Sequence, residues 1–292
     1  TMAAIFNFTG AATGLAVAQT IGKGILEPGA VTYLTMIAAL ASVIGWTAFA
    51  TYRGLPVSLT HGFVVALAAA GVAAVGTEAV QWGIMVTVMS AVVTAPLLGF
   101  IAGFVVMVIL YWVFRHASPD KLQTSFSILQ VPASAFVAYA HGKNDGQMPV
   151  GIITMALVTY YNDPGIWDRL SLFDPQLWWV IVLSAAAIST GMGLGGMRVI
   201  RTVGMRVTNL RPIHGFAAQA SAAGIIELAS QFGIPVSTTH CVSSAVMGVG
   251  STERFSAVRW GIAGNIIMAW VLTFPICGVL GYAFSYILHN LL

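Results

Sequence analysis

Seven stretches of this chain, roughly 2 to 22, 31 to 52, 82 to 114, 146 to 161, 177 to 200, 213 to 231 and 260 to 288, are apolar over lengths that approach the ~20 residues a helix needs to cross a bilayer. Lipid offers backbone N–H and C=O groups no partner, so a chain patterned this way has little choice but helices that satisfy themselves. Composition agrees: 58% of residues are hydrophobic and 7% charged, where soluble domains carry about 25% charged residues, and the mean hydropathy is +0.88. The expected fold class is an all-α polytopic membrane protein, multi-pass in the plasma or inner membrane. The run 82 to 114 is too long for one span and is expected to hold two, parted near residues 96 to 103 at Pro96.

The formal charge of +3 does not point to nucleic acid, because the 12 Lys and Arg are spread thinly between apolar runs. Cys241 and Cys277 lie in apolar stretches without a CxxC or His-rich partner, which suits packing rather than a metal or redox site. The first 22 residues are apolar but have no basic leader and no initiator Met, so they make a poor signal peptide, and the chain reads as the middle and end of a longer one.

The chain is also duplicated. Gly54-Leu55-Pro56-Val57-Ser58-Leu59-Thr60-His61 returns as Gly233-Ile234-Pro235-Val236-Ser237-Thr238-Thr239-His240, 179 positions on (235 minus 56). Thr20-Ile21-Gly22, Trp82-Gly83-Ile84 and Thr94-Ala95-Pro96 return as Thr202-Val203-Gly204, Trp260-Gly261-Ile262 and Thr273-Phe274-Pro275 in the same order. The copies differ in charge: 16 to 30 carries one Lys and one Glu, whereas 198 to 211 carries four Arg; 76 to 83 has no cation, whereas 250 to 261 has two. By the positive-inside tendency the copies face opposite ways, an inverted-topology repeat of the kind found in secondary transporters. The division expected is a first repeat at 1–114, incomplete at its N-terminus, a cytoplasmic or interfacial connector at 115–135, and a second repeat at 136–292. Residues 117 to 132 suit an interfacial helix and a solvated linker equally.

Segments 57 to 75 and 236 to 250 are rich in small residues, and the second, at ~1.5 Å per residue, is only about 22 Å long, short of a ~30 Å core. Arg198, Arg201, Arg206 and Arg211 precede the pair of segments around Pro235, and Arg254 and Arg259 follow it, so both flanks are expected on the cytoplasmic side and the pair forms a re-entrant hairpin. Pro at the first helical turn, with hydroxyls and free N–H groups at a positive helix end, makes its tip an anion site. The bland alternative is that these hydroxyls only cap and pack membrane helices.

A second polar group is His141-Gly142-Lys143-Asn144-Asp145-Gly146-Gln147, directly before the apolar run from Pro149. Ionisable residues beside a span are costly and are kept for function or mutual pairing. Glycines on both sides of Asn144-Asp145 suggest a broken helix whose free carbonyls hold a cation. Other candidates are Arg53 as an attractor of the anion or a snorkelling side chain, Lys143 as a partner of Asp145 or of the anion, Glu227 as a proton relay or a buried neutral acid, and His61 and His240 as makers of helix-stabilising hydrogen bonds or anion contacts.

Ala140-His141-Gly142-Lys143-Asn144-Asp145-Gly146-Gln147 with Gly151-Ile152-Ile153-Thr154 resembles the Gly-x-Asn-Asp signature of the PiT inorganic phosphate transporters, and Gly-x-Pro-Val-Ser-Thr-Thr-His resembles that family's other hallmark. Leu210-Arg211-Pro212-Ile213-His214-Gly215-Phe216-Ala217-Ala218 and Val258-Arg259-Trp260-Gly261 are similar to its bacterial branch. The resemblance implies a symporter of inorganic phosphate coupled to Na⁺ or H⁺, working by alternating access, with no cofactor, a possible homodimer and no nucleic-acid partner. It implies phosphate contacts from Ser58, Thr60, Asn144, Gln147, Ser237, Thr238 and Thr239, and a coupling-cation site, Na⁺ among the candidates, at Asn144, Asp145 and Ser237. Departures from the family pattern are Leu59 in place of a Thr, Gln219 where many relatives carry Glu, and a first Asn-Asp motif expected about 37 residues before residue 1. Rival readings are a permease for sulfate or another oxyanion and, from a different class, an intramembrane hydrolase using Ser237 and His240, which lacks an orienting third group.

Overall fold

The structure, a computed structural model, describes residues 1–291. The chain is a bundle of helices: α1 (Met2–Ala11), α2 (Ala16–Gly24), α3 (Tyr33–Arg53), α4 (Leu59–Val75), α5 (Trp82–Val113), α6 (Pro119–Asp145), α7 (Gln147–Tyr161), the short α8 (Ile166–Arg169), α9 (Trp178–Leu194), α10 (Met197–Arg206), α11 (Pro212–Gln231), α12 (Thr238–Ser251) and α13 (Trp260–Leu291). Helices α3, α5 and α13 are each long and apolar enough to cross a membrane, and the pairs α1–α2 and α9–α10 add two more if each counts as one bent span.

The sequence duplication is visible element by element. The two bent pairs turn by 61° and 62°, and α5 and α13 are both 32 residues long with an internal proline. Contacts reciprocate across the repeats: α13 packs on α3 and α4, and α5 packs on α11 and α12. Small junctions repeat as well. The Gln81 amide donates to the carbonyls of Lys23 and Leu26 around the end of α2, and the Arg259 guanidinium donates to that of Arg206 at the end of α10.

Helix α5 is not two spans. Pro96 stands inside one continuous helix, because the face that packs on α12 runs through it: Ala91, Ala95, Gly99 and Gly103 recur every four residues and are buried. A Cβ on Gly99 would lie 2.9 Å from the Cys241 carbonyl oxygen and one on Gly103 2.5 Å from that of Ala245. Such close backbone approach just after the proline, with buried Ala91 and Ala95 just before it, keeps one continuous packed face, and a 32-residue helix of about 48 Å fits a bilayer by tilting.

The stretch 117–132, expected as an interfacial helix or a linker, is helical from Pro119 and forms the first half of α6, which runs through Pro132 to Asp145. The expected break around Asn144-Asp145 is slight. Only Gly146 separates α6 from α7; it keeps right-handed helical dihedrals and donates to the Gly142 carbonyl at 2.9 Å. Pro149, which has no N–H, leaves the carbonyl of Asp145 without its usual helical donor, so one carbonyl is released rather than a set.

Candidate functional site

Both hairpins are built from the same local chemistry. Helix α3 ends on Gly54 at φ 73°, with Leu55 N–H donating to the Ala50 carbonyl; α11 is closed off by Gly233 at φ 68°, with Ile234 N–H donating to Ala229. This is the helix-terminating turn that only glycine enters without strain. Four residues on, Ser58 and Ser237 accept the backbone N–H of His61 and His240, each at 3.2 Å, and so start α4 and α12. Pro56 and Pro235 therefore lie two residues before the cap, in the extended linker, rather than in the first helical turn as expected. They keep the chain from running on as helix after the glycine.

The tips converge on one cavity of ≈ 360 Å³, lined by residues 57–60 and 237–239 of the two hairpins, by His141 and Asp145 of α6, by Met148 and Pro149 of α7, and by Ile188 of α9. The first N–H groups of α4 and α12 have no acceptor within their own helices. The Thr60 hydroxyl is buried and has no hydrogen-bond partner. Two positive helix ends and a set of hydroxyls thus face a single space.

Asp145 is the acid of that space. Its Oδ1 accepts from Asn144 Nδ2 at 2.6 Å and its Oδ2 from the Thr238 hydroxyl at 3.0 Å. His141, one helical turn earlier, places Nε2 3.1 Å from the same Oδ2, and its Nδ1 lies 2.5 Å from Asn7 Oδ1. Asn7 orients itself by donating its amide to the Ala3 carbonyl at 2.8 Å, so its Oδ1 accepts from His141 Nδ1–H and Nε2 is the ring nitrogen that faces Asp145. His141 and Asn7 were not singled out from the sequence; the four-residue spacing of His141 and Asp145 was the available signal.

Of the residues expected to touch phosphate, Ser58, Thr60, Ser237, Thr238 and Thr239 line the cavity and Asn144 and Gln147 do not. Asn144 reads like an inserted peptide unit: Nδ2 donates to the Val236 carbonyl at 2.7 Å, Oδ1 accepts from Val236 N–H at 3.2 Å and from the Ser230 hydroxyl at 3.4 Å. It pins the second hairpin to α6. Gln147 caps α2 from outside, its Oε1 accepting Val17 and Ala18 N–H at 2.9 and 3.2 Å, a cap supplied 130 residues away in sequence because Leu15 cannot provide one.

The remaining candidates are also placed. Lys143 pairs with neither Asp145 nor the cavity but with Glu227 of α11, which also accepts from Gln231 at 3.0 Å; the pair is about five-sixths buried, with the two side chains 14% and 16% exposed. Glu227 is thus half of an ion pair rather than a lone acid. Arg53 is exposed and sits over the Phe49 ring, 5.1 Å from its centre. His61 and His240 face each other with ring centres 5.6 Å apart, His240 stacked on Trp270, and none of their ring nitrogens has a partner. Ser237 Oγ receives the backbone N–H of His240 and not its imidazole, so the serine–histidine pair of a hydrolase is not formed.

A sequence profile of the phosphate transporter family matches residues 1–281. The chain belongs to that family. It is 37% identical to a probable low-affinity inorganic phosphate transporter of Rhizobium meliloti (strain 1021), covering 94% of this chain and 80% of that one. With its namesake from Bacillus subtilis (strain 168) it shares 35% identity over 100% and 86% of the two chains. A solved structure described as the sodium-dependent phosphate transporter superposes with a TM-score of 0.83 at 25% identity, covering all of this chain and 89% of the other. The PiT resemblance holds, and relatives of this family are named as transporters or permeases rather than enzymes.

Proposed function

We propose that this phosphate transporter family member is a secondary active symporter of inorganic phosphate driven by Na⁺ or H⁺, working by alternating access in the plasma membrane. The carrying observation is the convergence of two capped helix N-termini on one cavity with an unpartnered Thr60 hydroxyl inside it. A tetrahedral oxyanion fits such a site because N–H and O–H donors of both hairpins approach it from several directions, with Asp145 as the acid at its wall. Ser58, Thr60, Ser237, Thr238 and Thr239 and the free N–H groups of α4 and α12 bind phosphate; Asn144 and Gln147 hold the scaffold.

Asp145 supplies the coupling. An ionised carboxylate about 4 Å from a phosphate oxygen costs about 4 kcal/mol at an effective dielectric near 20. A Na⁺ at Asp145 and Ser237, both at the cavity wall, or a proton taken up between His141 and Asp145, cancels that charge, so each solute favours binding of the other. Reciprocal packing supports two inverted repeats, 1–114 and 136–292 about the connector 115–135, with α3–α4 and α11–α12 as re-entrant hairpins whose tips meet near the midplane. The sodium dependence of the superposed structure favours Na⁺.

Radiolabelled phosphate uptake into liposomes carrying the protein, under an imposed Na⁺ or pH gradient, tests this reading. Uptake should follow one of the two gradients and resist excess sulfate. Uptake that ignores both gradients removes the symport, and full competition by sulfate makes the protein a general oxyanion permease.

A further inference from the structure

Each hairpin is held at its turn by the other repeat. Thr20 Oγ1 of α2 donates to the carbonyl of Gly233 at 2.7 Å, and Thr202 Oγ1 of α10 donates to the carbonyl of Gly54 at 2.9 Å. The same backbone groups meet in both places: a Cβ on Gly233 would lie 3.1 Å from the Ala16 carbonyl oxygen, a tight approach, and one on Gly54 3.5 Å from that of Arg198, an ordinary contact. Ala16 and Arg198 each stand four residues before the threonine. The same parts therefore meet twice, with the repeats exchanged. A helix threonine ordinarily bonds back to the carbonyl four residues earlier, and both do so, at 3.2 and 3.0 Å, but the bond across the repeats is the shorter one in each case.

We propose that Thr20 and Thr202 are positioning residues: each latches one hairpin to the bent helix of the opposite repeat, and release of one latch opens one side of the phosphate cavity. This rests on the transport reading above. The turn glycines lie four residues before Ser58 and Ser237, so a displaced turn carries the capping serine and the free N–H groups of its helix out of the cavity. Helices α2 and α10 follow sharp bends, 61° and 62°, and can tilt without dragging α1 or α9. The latches are unequal. Arg198 adds a bond to the Tyr52 carbonyl and lies over the Tyr52 ring at the first hairpin, whereas Ala16 adds nothing at the second.

The test uses the protein in liposomes with inorganic phosphate as the probe. Thr20→Val and Thr202→Val keep the side-chain shape and remove the hydroxyl. A reporter, Thr239→Cys or Leu59→Cys, is placed at one hairpin tip in a Cys241→Ser, Cys277→Ser background and its alkylation rate measured. Thr20→Val is expected to raise alkylation at Thr239→Cys about three- to tenfold, the range for one membrane hydrogen bond, and to leave Leu59→Cys unchanged. Thr202→Val should do the reverse, by less, because Arg198 remains. Thr→Ser at either position should restore the original rates, and the valine variants should raise the half-saturating phosphate concentration without lowering the maximal rate. Valine variants that leave both reporters unchanged, or raise both alike, overturn the latch. Hairpin-selective labelling in the reporter variants, together with no phosphate uptake by the wild-type protein, overturns the transport reading and leaves the latch standing.

Discussion

The two hairpins share a phrase of sequence, a left-handed glycine, a capping serine and a place at the cavity, yet they are anchored differently. The second is pinned through its linker: Asn144 bonds both backbone groups of Val236, and Thr238 bonds Asp145. At the first, the linker is held by Trp270, whose indole N–H donates to the Pro56 carbonyl at 3.0 Å, and the end of α3 by Arg198 at Tyr52. Leu59 stands where the second hairpin has Thr238, and a leucine cannot bond a carboxylate. Identical local chemistry thus makes the tip twice, and the neighbouring helix decides whether the tip is also part of an ionic network. The second hairpin is bonded to Asp145 through Thr238; the first has only Leu59 at that place.

That contrast can be broken in four ways, the largest first. Asp145→Asn removes the charge that the second hairpin reads, and with it interactions worth ~1.5–3 kcal/mol each; gradient-driven phosphate uptake should fall about a hundredfold or more, and undiminished uptake would sink the coupling role. Lys143→Met alone leaves Glu227 charged and unpaired among α6 and α11, costing about 3–5 kcal/mol, while Lys143→Met with Glu227→Leu should recover most of it. Thermal unfolding in detergent measures both, and a double variant as unstable as the single one contradicts the pairing.

Asn144→Leu strands the N–H and carbonyl of Val236 at about 1–3 kcal/mol each. Hydrogen exchange should accelerate across 233–238 and stay unchanged across 54–58; equal acceleration at both hairpins would show that the clamp is not particular to the second. Trp270→Phe is the mirror experiment and the mildest, removing one hydrogen bond of about 0.5–1.5 kcal/mol while keeping a ring against His240. Exchange should rise across 54–58 only, and no rise there would leave the first hairpin without its assigned anchor.

Much of this was legible in one dimension. The glycine and serine of each hairpin phrase act within six residues, so their turn and cap follow from the residue types. The repeat pairing of Thr20 with Thr202 was visible as spacing, although what the threonines bond was not. The continuity of α5 was misjudged because a proline looks like a boundary along the chain, whereas the small residues that hold the helix together do so only against α12. Asn144 and Gln147 were expected at phosphate because the resemblance implies it; in the structure both lie outside the cavity lining and satisfy backbone groups that a broken helix or an extended linker leaves unpaired.

Apolar content, duplication and hairpin chemistry are local or additive properties, and the order of residues decides them with no knowledge of neighbours. Partnership is neither. Gln147 with Val17, Asn144 with Val236 and Lys143 with Glu227 join residues 130, 92 and 84 positions apart, and each chose its partner because packing of small-residue helix faces brought two unsatisfied groups together where water could not serve either. Only the packed fold could decide which polar residues would line the cavity and which would hold the hairpins in place.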